Sequence, residues 1–246
     1  MDTSSHKFIG IDPFAINESF TYSILDEDCR LVQLGEGNLS DIPGLISQNM
    51  QIYIAVNGPR RINMELVKQL LVEKGSLPGQ LRGCDLRVAE QSIRDKGINI
   101  SSTPSKEELC PEWMSLSFSI FAELKKIDFV PFPSSDSSRQ LMETHAHSFY
   151  YSKIGDKPLS KSTIEGKLQR QLALFDSGVG IHNPMRFYEE ITRYKLLKGL
   201  LPMEIIYTSE QLDAISASFT AYLAANQPEK IEMVGDKEEG QIIIPI

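Results

Sequence analysis

The sequence predicts an α/β protein with a mixed five-stranded sheet, helices on both faces, a helical insertion and a small C-terminal hairpin. Two observations predict this class. Residues 1–60 contain short apolar segments separated by turns, whereas helical periodicity dominates from residue 62 onward. Because no linker interrupts the 246 residues, we expect a single domain over 1–246, with the insertion at about 60–136.

The predicted strands come first in the chain. Three short segments, KFIGIDPF, SFTYSILDED and CRLVQLGEG, are joined by brief turns and are therefore typical of an antiparallel meander. A partial helix or crossover follows, and then QIYIAVNGP, whose β-branched and aromatic residues predict a buried strand that ends at Gly58 and Pro59.

The predicted helices occupy most of the remaining chain. Apolar residues at helical spacing predict helices over 62–75, 86–98, 105–127, 162–178, 183–199 and 208–227. The last is the clearest, because Thr208 and Gln211 form a capping box at its start. The segment 139–151 begins as the fifth strand, and 230–246 closes the chain as a hairpin.

Composition limits the classes of partner. The net charge is −8 and the pI is about 5.1, so nucleic acid would need a local basic patch or bridging metal ions. Cys29, Cys84 and Cys110 lie far apart, which is typical of free thiols in a reducing compartment. We expect neither a signal peptide nor a transmembrane segment, and therefore a cytoplasmic protein with no membrane partner; its oligomeric state is left open.

Four acidic or amide residues are the strongest functional signal. Asp12, Asn57, Glu143 and Asp213 each lie near the end of a predicted strand or the start of a predicted helix. A sheet with a helix packed on it could bring them together, and separated carboxylates that converge are what Mg²⁺ or Mn²⁺ requires. Asn57 is the weakest member, because an amide coordinates through its carbonyl oxygen without adding negative charge.

Two of these residues also have purely structural interpretations. Asp12 precedes Pro13 and could shape a turn at the end of its strand. Alternation along the strand predicts Glu143, His145 and His147 on one face, either as a ligand cluster or as the solvent side of an edge strand.

Asp213 lies about one turn into its predicted helix, where a carboxylate interacts favourably with the helix dipole. It shares a face with Ser216, Ala217 and Thr220, and such a small-residue face allows close packing on a sheet. That packing would bring the carboxylate to the edge of the sheet.

Three arginines are candidate phosphate ligands. Arg60 follows the fourth strand, and Arg87 and Arg94 lie seven residues apart in one predicted helix. The planar guanidinium matches a phosphate group, so these residues could bind a phosphodiester in an otherwise acidic protein. The alternative is that Arg87 and Arg94 form ordinary surface pairs with Glu90 and Asp95.

The element order and several motifs resemble a known family. Three antiparallel strands, a crossover and then strands separated by helices is the order of the RNase H-like fold. GID, AVNGP, LRVAEQSIRDKGI, ETHAHSFY, LQRQLALFDSGV, LDAISASFTAYLA and EEGQIIIP are similar, in the same order, to domain-of-unknown-function family 429. This resemblance covers residues 8–245, and the family is described as predicted nucleases of RNase H-like fold.

The resemblance also implies roles for individual residues. It implies that Asp12, Glu143 and Asp213 are metal ligands and that Asn57 stands where such families place aspartate. Ala146 stands where the family often has proline.

Three functions remain open at this point. The first is a nuclease or phosphodiesterase in which Asp12, Glu143 and Asp213 hold Mg²⁺ or Mn²⁺. The second is an RNase H-like module, weak or inactive in catalysis, that binds nucleic acid, a nucleotide or a protein partner. The third is a relative of sugar kinases, but the segment after Asp12 lacks the glycines of a phosphate-binding hairpin.

Overall fold

The computed structural model describes residues 6–13, 19–46, 50–75 and 85–246. Cys84 and most of the segment that follows Asp12 lie outside these ranges, so the expectations about them are not addressed by the structure. Within the described residues, no helix is long and apolar enough to cross a membrane.

The protein is an α/β fold built on one mixed sheet. Its strands in the described residues are β1 (His6–Asp12), β2 (Phe20–Leu25), β3 (Leu31–Gly37), β4 (Gln51–Val56), β5 (Val130–Pro131), β6 (Arg139–Thr144), β7 (Ile231–Asp236) and β8 (Gly240–Pro245). Their order is β3-β2-β1-β4-β6-β8-β7, and β5 pairs with the first half of β6. β1, β4, β6 and β8 run parallel, whereas β1-β2-β3 and β7-β8 are antiparallel.

The predicted meander of three strands is therefore confirmed, but the prediction of five strands is wrong. The described sheet has eight strands because β5 and the C-terminal hairpin join it. β8 pairs with β6 at Glu143 and Thr144, and its apolar residues Ile242 and Ile243 are buried. The hairpin thus extends the sheet at the point where the functional candidates lie.

The helices of the described residues are α1 (Ile42–Leu45), α2 (Leu66–Glu73), α3 (Val88–Asp95), α4 (Glu112–Lys126), α5 (Ala146–Ile154), α6 (Ile164–Asp176), α7 (Arg186–Glu190), α8 (Arg193–Leu197) and α9 (Ser209–Asn226). Short 3-10 segments lie at Leu39–Asp41, Glu107–Leu109, Met203–Ile205 and Pro228–Lys230. The chain between β4 and β6 contains α2, α3, α4 and β5.

Helices cover both faces of the sheet. Side chains of successive strand residues point to opposite faces, and Phe8 and Ile9 of β1 accordingly belong to different cores. Phe8 packs in the core formed with α5, α6 and α9, whereas Ile9 packs in the core that includes Ile120 of α4. The predicted placement of helices on both faces is confirmed.

α9 is the central helix and lies unusually close to β1. Most of its residues are buried, and they include polar residues such as Ser216 and Thr220 as well as apolar ones. A Cβ atom at Gly10 would lie 2.0 Å from the Ala214 carbonyl oxygen and 2.3 Å from the Ser218 nitrogen. Ser23 Oγ on β2 donates to the same Ala214 carbonyl at 2.8 Å. This close packing fixes the backbone at Ala214 and therefore the position of Asp213, the residue directly before it.

Two predicted elements have different bounds in the structure. The helix predicted over 183–199 is divided into α7 and α8, because Ile191 has extended backbone and the Thr192 side chain accepts a hydrogen bond from the Lys195 N–H at 3.1 Å. The strand that begins at Arg139 ends at Thr144, and α5 follows directly.

Candidate functional site

The four residues singled out from the sequence lie around one end of the sheet. Asp12 is the last residue of β1, Asn57 follows β4, and Glu143 is near the end of β6. These strands are parallel, so their carboxyl ends meet at one edge. A cleft of about 690 Å³ opens there, and Asn57, Glu143 and Asp213 line it.

Asp12 is the most unusual residue at this edge. It is only 1% exposed, and its Oδ1 accepts a hydrogen bond from Asn57 Nδ2 at 2.8 Å. Its Oδ2 is buried and has no hydrogen-bond partner among the described residues. Burial, and then the nearby Asp213 carboxylate, raise the pKa of Asp12 well above its ordinary value. Within the described part of the chain, this oxygen is therefore a buried acceptor that a proton or a cation could satisfy.

Asn57 uses both ends of its side-chain amide. Nδ2 donates to Asp12, and Oδ1 accepts the backbone N–H of Ala146 at 2.9 Å. The side chain therefore connects the end of β1 to the first turn of α5. An aspartate could accept from Ala146 but, when ionised, could not donate to Asp12. The amide at this position thus has a structural reason that the sequence did not reveal.

Asp213 forms an ion pair with Lys161, a residue that the sequence analysis missed. Lys161 Nζ lies 3.1 Å from Asp213 Oδ2, and the two side chains are 44% and 9% exposed. Burial raises the pKa of Asp213, although Lys161 opposes this effect. Burial alone would lower the pKa of Lys161, but the Asp213 carboxylate raises it overall. No local motif marks Lys161, because it approaches Asp213 only through the fold.

Glu143 belongs to a buried ionic group with Arg87 and Glu90. Both Nη atoms of Arg87 donate to the Glu143 carboxylate, Nη1 at 3.0 Å, and Arg87 Nε donates to Glu90 Oε1 at 2.8 Å. The Arg60 backbone N–H also donates to Glu143 Oε2 at 3.1 Å. Burial alone would lower the pKa of Arg87, but the two carboxylates raise it. The pair between Arg87 and Glu90 expected on the helix surface is present, but it is buried.

Arg60 and Arg94 are not among the residues that line the cleft. The Arg60 guanidinium donates to the Lys237 and Glu238 carbonyl oxygens in the turn between β7 and β8. Arg94 Nη2 donates to the Ile100 carbonyl oxygen at 3.0 Å. Of the three arginines expected to bind phosphate, only Arg87 reaches the cleft.

Two histidines line the cleft beside Glu143, but not through strand alternation. β6 ends before His145, and His147 lies in the first turn of α5, so the prediction of one strand face is wrong. Burial lowers the pKa of His145 to about 3, with smaller effects from His147 and Lys161. Burial and then Arg170 lower the pKa of His147. Both imidazoles are therefore neutral at pH 7.

Asp12 and Asp213 are the two carboxylates at this edge that could hold a hard cation. Among the described residues one Asp12 oxygen has no hydrogen-bond partner, whereas Glu143 is already paired with Arg87. In the described part of the chain, no group of three or more His, Cys, Asp or Glu side chains is arranged to hold a metal ion. The structure thus brings the four predicted ligands to one edge of the sheet. Glu143 belongs there to the ionic group of Arg87, whereas Asp213 pairs with Lys161 near Asp12 and Asn57.

Comparison of the chain with family models, with curated proteins and with solved structures gave no match.

Proposed function

We propose that this protein is a phosphodiesterase of RNase H-like fold that acts on nucleic acid with one divalent cation, Mg²⁺ or Mn²⁺, held by Asp12 and Asp213. The observation that carries the proposal is the buried Oδ2 of Asp12, which has no hydrogen-bond partner among the described residues and lies near Asp213, a carboxylate that lines the cleft. The strand order β3-β2-β1-β4-β6, with β2 antiparallel to its neighbours, supports the fold assignment.

The protein's own residues have distinct roles in this proposal. Asn57 orients the Asp12 carboxylate by donating to one of its oxygens. Lys161 lines the cleft and provides a local positive charge for phosphate in a protein whose net charge is −8. When bound, the cation would polarise the phosphate and lower the pKa of a bound water molecule.

A second candidate function is a non-catalytic module that binds a nucleotide or nucleic acid. The pairing of Glu143 with Arg87 favours this non-catalytic module, because a carboxylate that is paired with Arg87 is not available to a second cation. The amide at Asn57 also lowers the negative charge of the site.

The two candidates are separated by a cleavage assay. Labelled single strands, duplexes and hybrids are incubated with the protein and with Mg²⁺ or Mn²⁺, and the D12N variant serves as the comparison. We expect cleavage by the wild type and its loss in D12N, because an amide cannot replace the charge of the carboxylate. Binding of the strands without cleavage would support the non-catalytic module, and full cleavage by D12N would refute the assigned site.

The stability of D12N provides an independent control. Because the folded-state pKa of Asp12 is raised, its ionisation destabilises the fold as the pH rises above about 4. D12N should therefore match the wild type in acid and unfold about 2–4 °C higher at pH 7.5, as followed by circular dichroism. A lower midpoint at pH 7.5 would show that the Asp12 carboxylate is not strained by burial.

A further inference from the structure

We propose that Lys161 is a built-in counter-ion of the cleft, and that a divalent cation binds only by displacing its ammonium group from Asp213. This inference rests on the proposed function. It assigns to Lys161 a control of cation affinity that is separate from any part in chemistry.

The backbone around Lys161 is fixed by neighbouring elements. Ser209 Oγ, in the first turn of α9, donates to the Lys161 carbonyl oxygen at 2.7 Å. Arg170 Nη1 donates to the Leu159 carbonyl oxygen at 2.8 Å, which holds the preceding part of the same segment. The segment is thus attached both to the helix that carries Asp213 and to α6.

The two partners of the ion pair differ in their freedom to move. The Lys161 side chain is 44% exposed and can turn toward solvent in the cleft, whereas that of Asp213 is 9% exposed on the buried helix α9. Displacement therefore moves Lys161 and leaves the carboxylate in place. Since its backbone is held, the displaced ammonium remains beside the cleft.

The charges at the site favour replacement of the Lys161 ammonium group by a divalent cation over binding of both together. The ammonium binds Asp213, yet Asp12 Oδ2 still has no hydrogen-bond partner among the described residues. A divalent cation between the two carboxylates would neutralise both. A retained ammonium would then lie close to a doubly charged ion and would be repelled. Cation affinity in the wild type is therefore reduced by the need to break the ion pair.

The test compares Mn²⁺ binding to the wild type, K161M and K157M by isothermal titration calorimetry at pH 7. Lys157 is the matched control, because it lies in the same segment and lines the same cleft, but the ion pair with Asp213 is made by Lys161. We expect the Kd for Mn²⁺ to fall about five- to ten-fold in K161M and to change by less than about two-fold in K157M. Circular dichroism confirms that each variant is folded, and K161Q replaces K161M if the latter is not.

A second measurement follows the displacement itself. The wild type is acetylated briefly with and without Mn²⁺, and the modified lysines are quantified by mass spectrometry. Mn²⁺ should increase the acetylation of Lys161 and leave that of Lys157 unchanged.

Each other outcome overturns the inference in a distinguishable way. Equal Mn²⁺ affinity in the wild type and K161M, or an equal gain in K157M, would refute the exchange and leave the proposed function standing. Weaker binding in K161M would show that Lys161 supports the cation. Absence of Mn²⁺ binding in all three proteins would refute the proposed function and the exchange together.

Discussion

Replacing Asn57 by aspartate should destabilise the protein in the absence of metal. The wild-type amide donates to Asp12 Oδ1 at 2.8 Å. Loss of a hydrogen bond to a charged group costs about 1.5–3 kcal/mol. Two carboxylates at that distance would repel by up to about 6 kcal/mol at an effective dielectric constant of about 20. One of them would therefore take up a proton, which limits the net cost to about 5 kcal/mol at pH 7.5 for a carboxyl whose ordinary pKa is about 4.

The sign of the pH dependence follows from the same contact. A protonated carboxyl at position 57 can donate to Asp12 as the amide does, so its folded-state pKa is raised above the ordinary value. The stability that the protonated carboxyl at position 57 contributes is present in acid and is lost as the pH rises through its folded-state pKa. The difference between N57D and the wild type should thus be small at pH 5 and largest at pH 7.5.

The assay is urea unfolding of the wild type, N57D and N57A at both pH values, with and without Mn²⁺. N57A removes the hydrogen bond that favours ionised Asp12 but adds no charge, so its loss of stability should increase with pH less steeply than that of N57D. Mn²⁺ should stabilise N57D more than the wild type, because the added carboxylate strengthens cation binding. Equal stability of N57D and the wild type at pH 7.5 without metal would refute the contact between Asn57 and Asp12.

Two further predictions concern the framework of the site. R87M leaves Glu143 and Glu90 buried without their cation and should cost about 3–5 kcal/mol in urea unfolding; a loss below about 1 kcal/mol would contradict the buried pairing. G10A places a Cβ 2.0 Å from the backbone of α9 and should cost about 1–3 kcal/mol or more and weaken Mn²⁺ binding. G44A, where an added Cβ meets nothing within 4 Å, is its control, and equal stability of the two variants would refute the close packing.

Local sequence signals predicted the elements better than their long-range pairing. Thr208 and Gln211 mark the start of α9 because a capping box depends on residues three positions apart. The position of β8 beside β6 depends instead on residues about a hundred positions apart, such as Glu143 and Ile242, and no local pattern encodes it. The C-terminal hairpin was therefore predicted, whereas its place in the sheet was not.

The candidate site was predicted in position but not in its internal pairing. Strand ends and helix starts are local features, so Asp12, Asn57, Glu143 and Asp213 could be expected to converge where a helix packs on a sheet. Which cation each carboxylate meets is decided by side chains from distant segments. Arg87 reaches Glu143 from the residue before α3, and Lys161 reaches Asp213 from the segment before α6. Spacing along the chain carries no information about such contacts.

The most direct test of the proposed cation site is a crystal structure of the protein soaked in Mn²⁺, read from the anomalous scattering of the metal. We expect one peak at roughly 2.0–2.6 Å from Asp12 Oδ2 and from an Asp213 oxygen, with Glu143 still paired with Arg87 and Lys161 moved away from Asp213. A saturating soak with no peak between Asp12 and Asp213, or a peak held by Glu143 without Asp12, would contradict it.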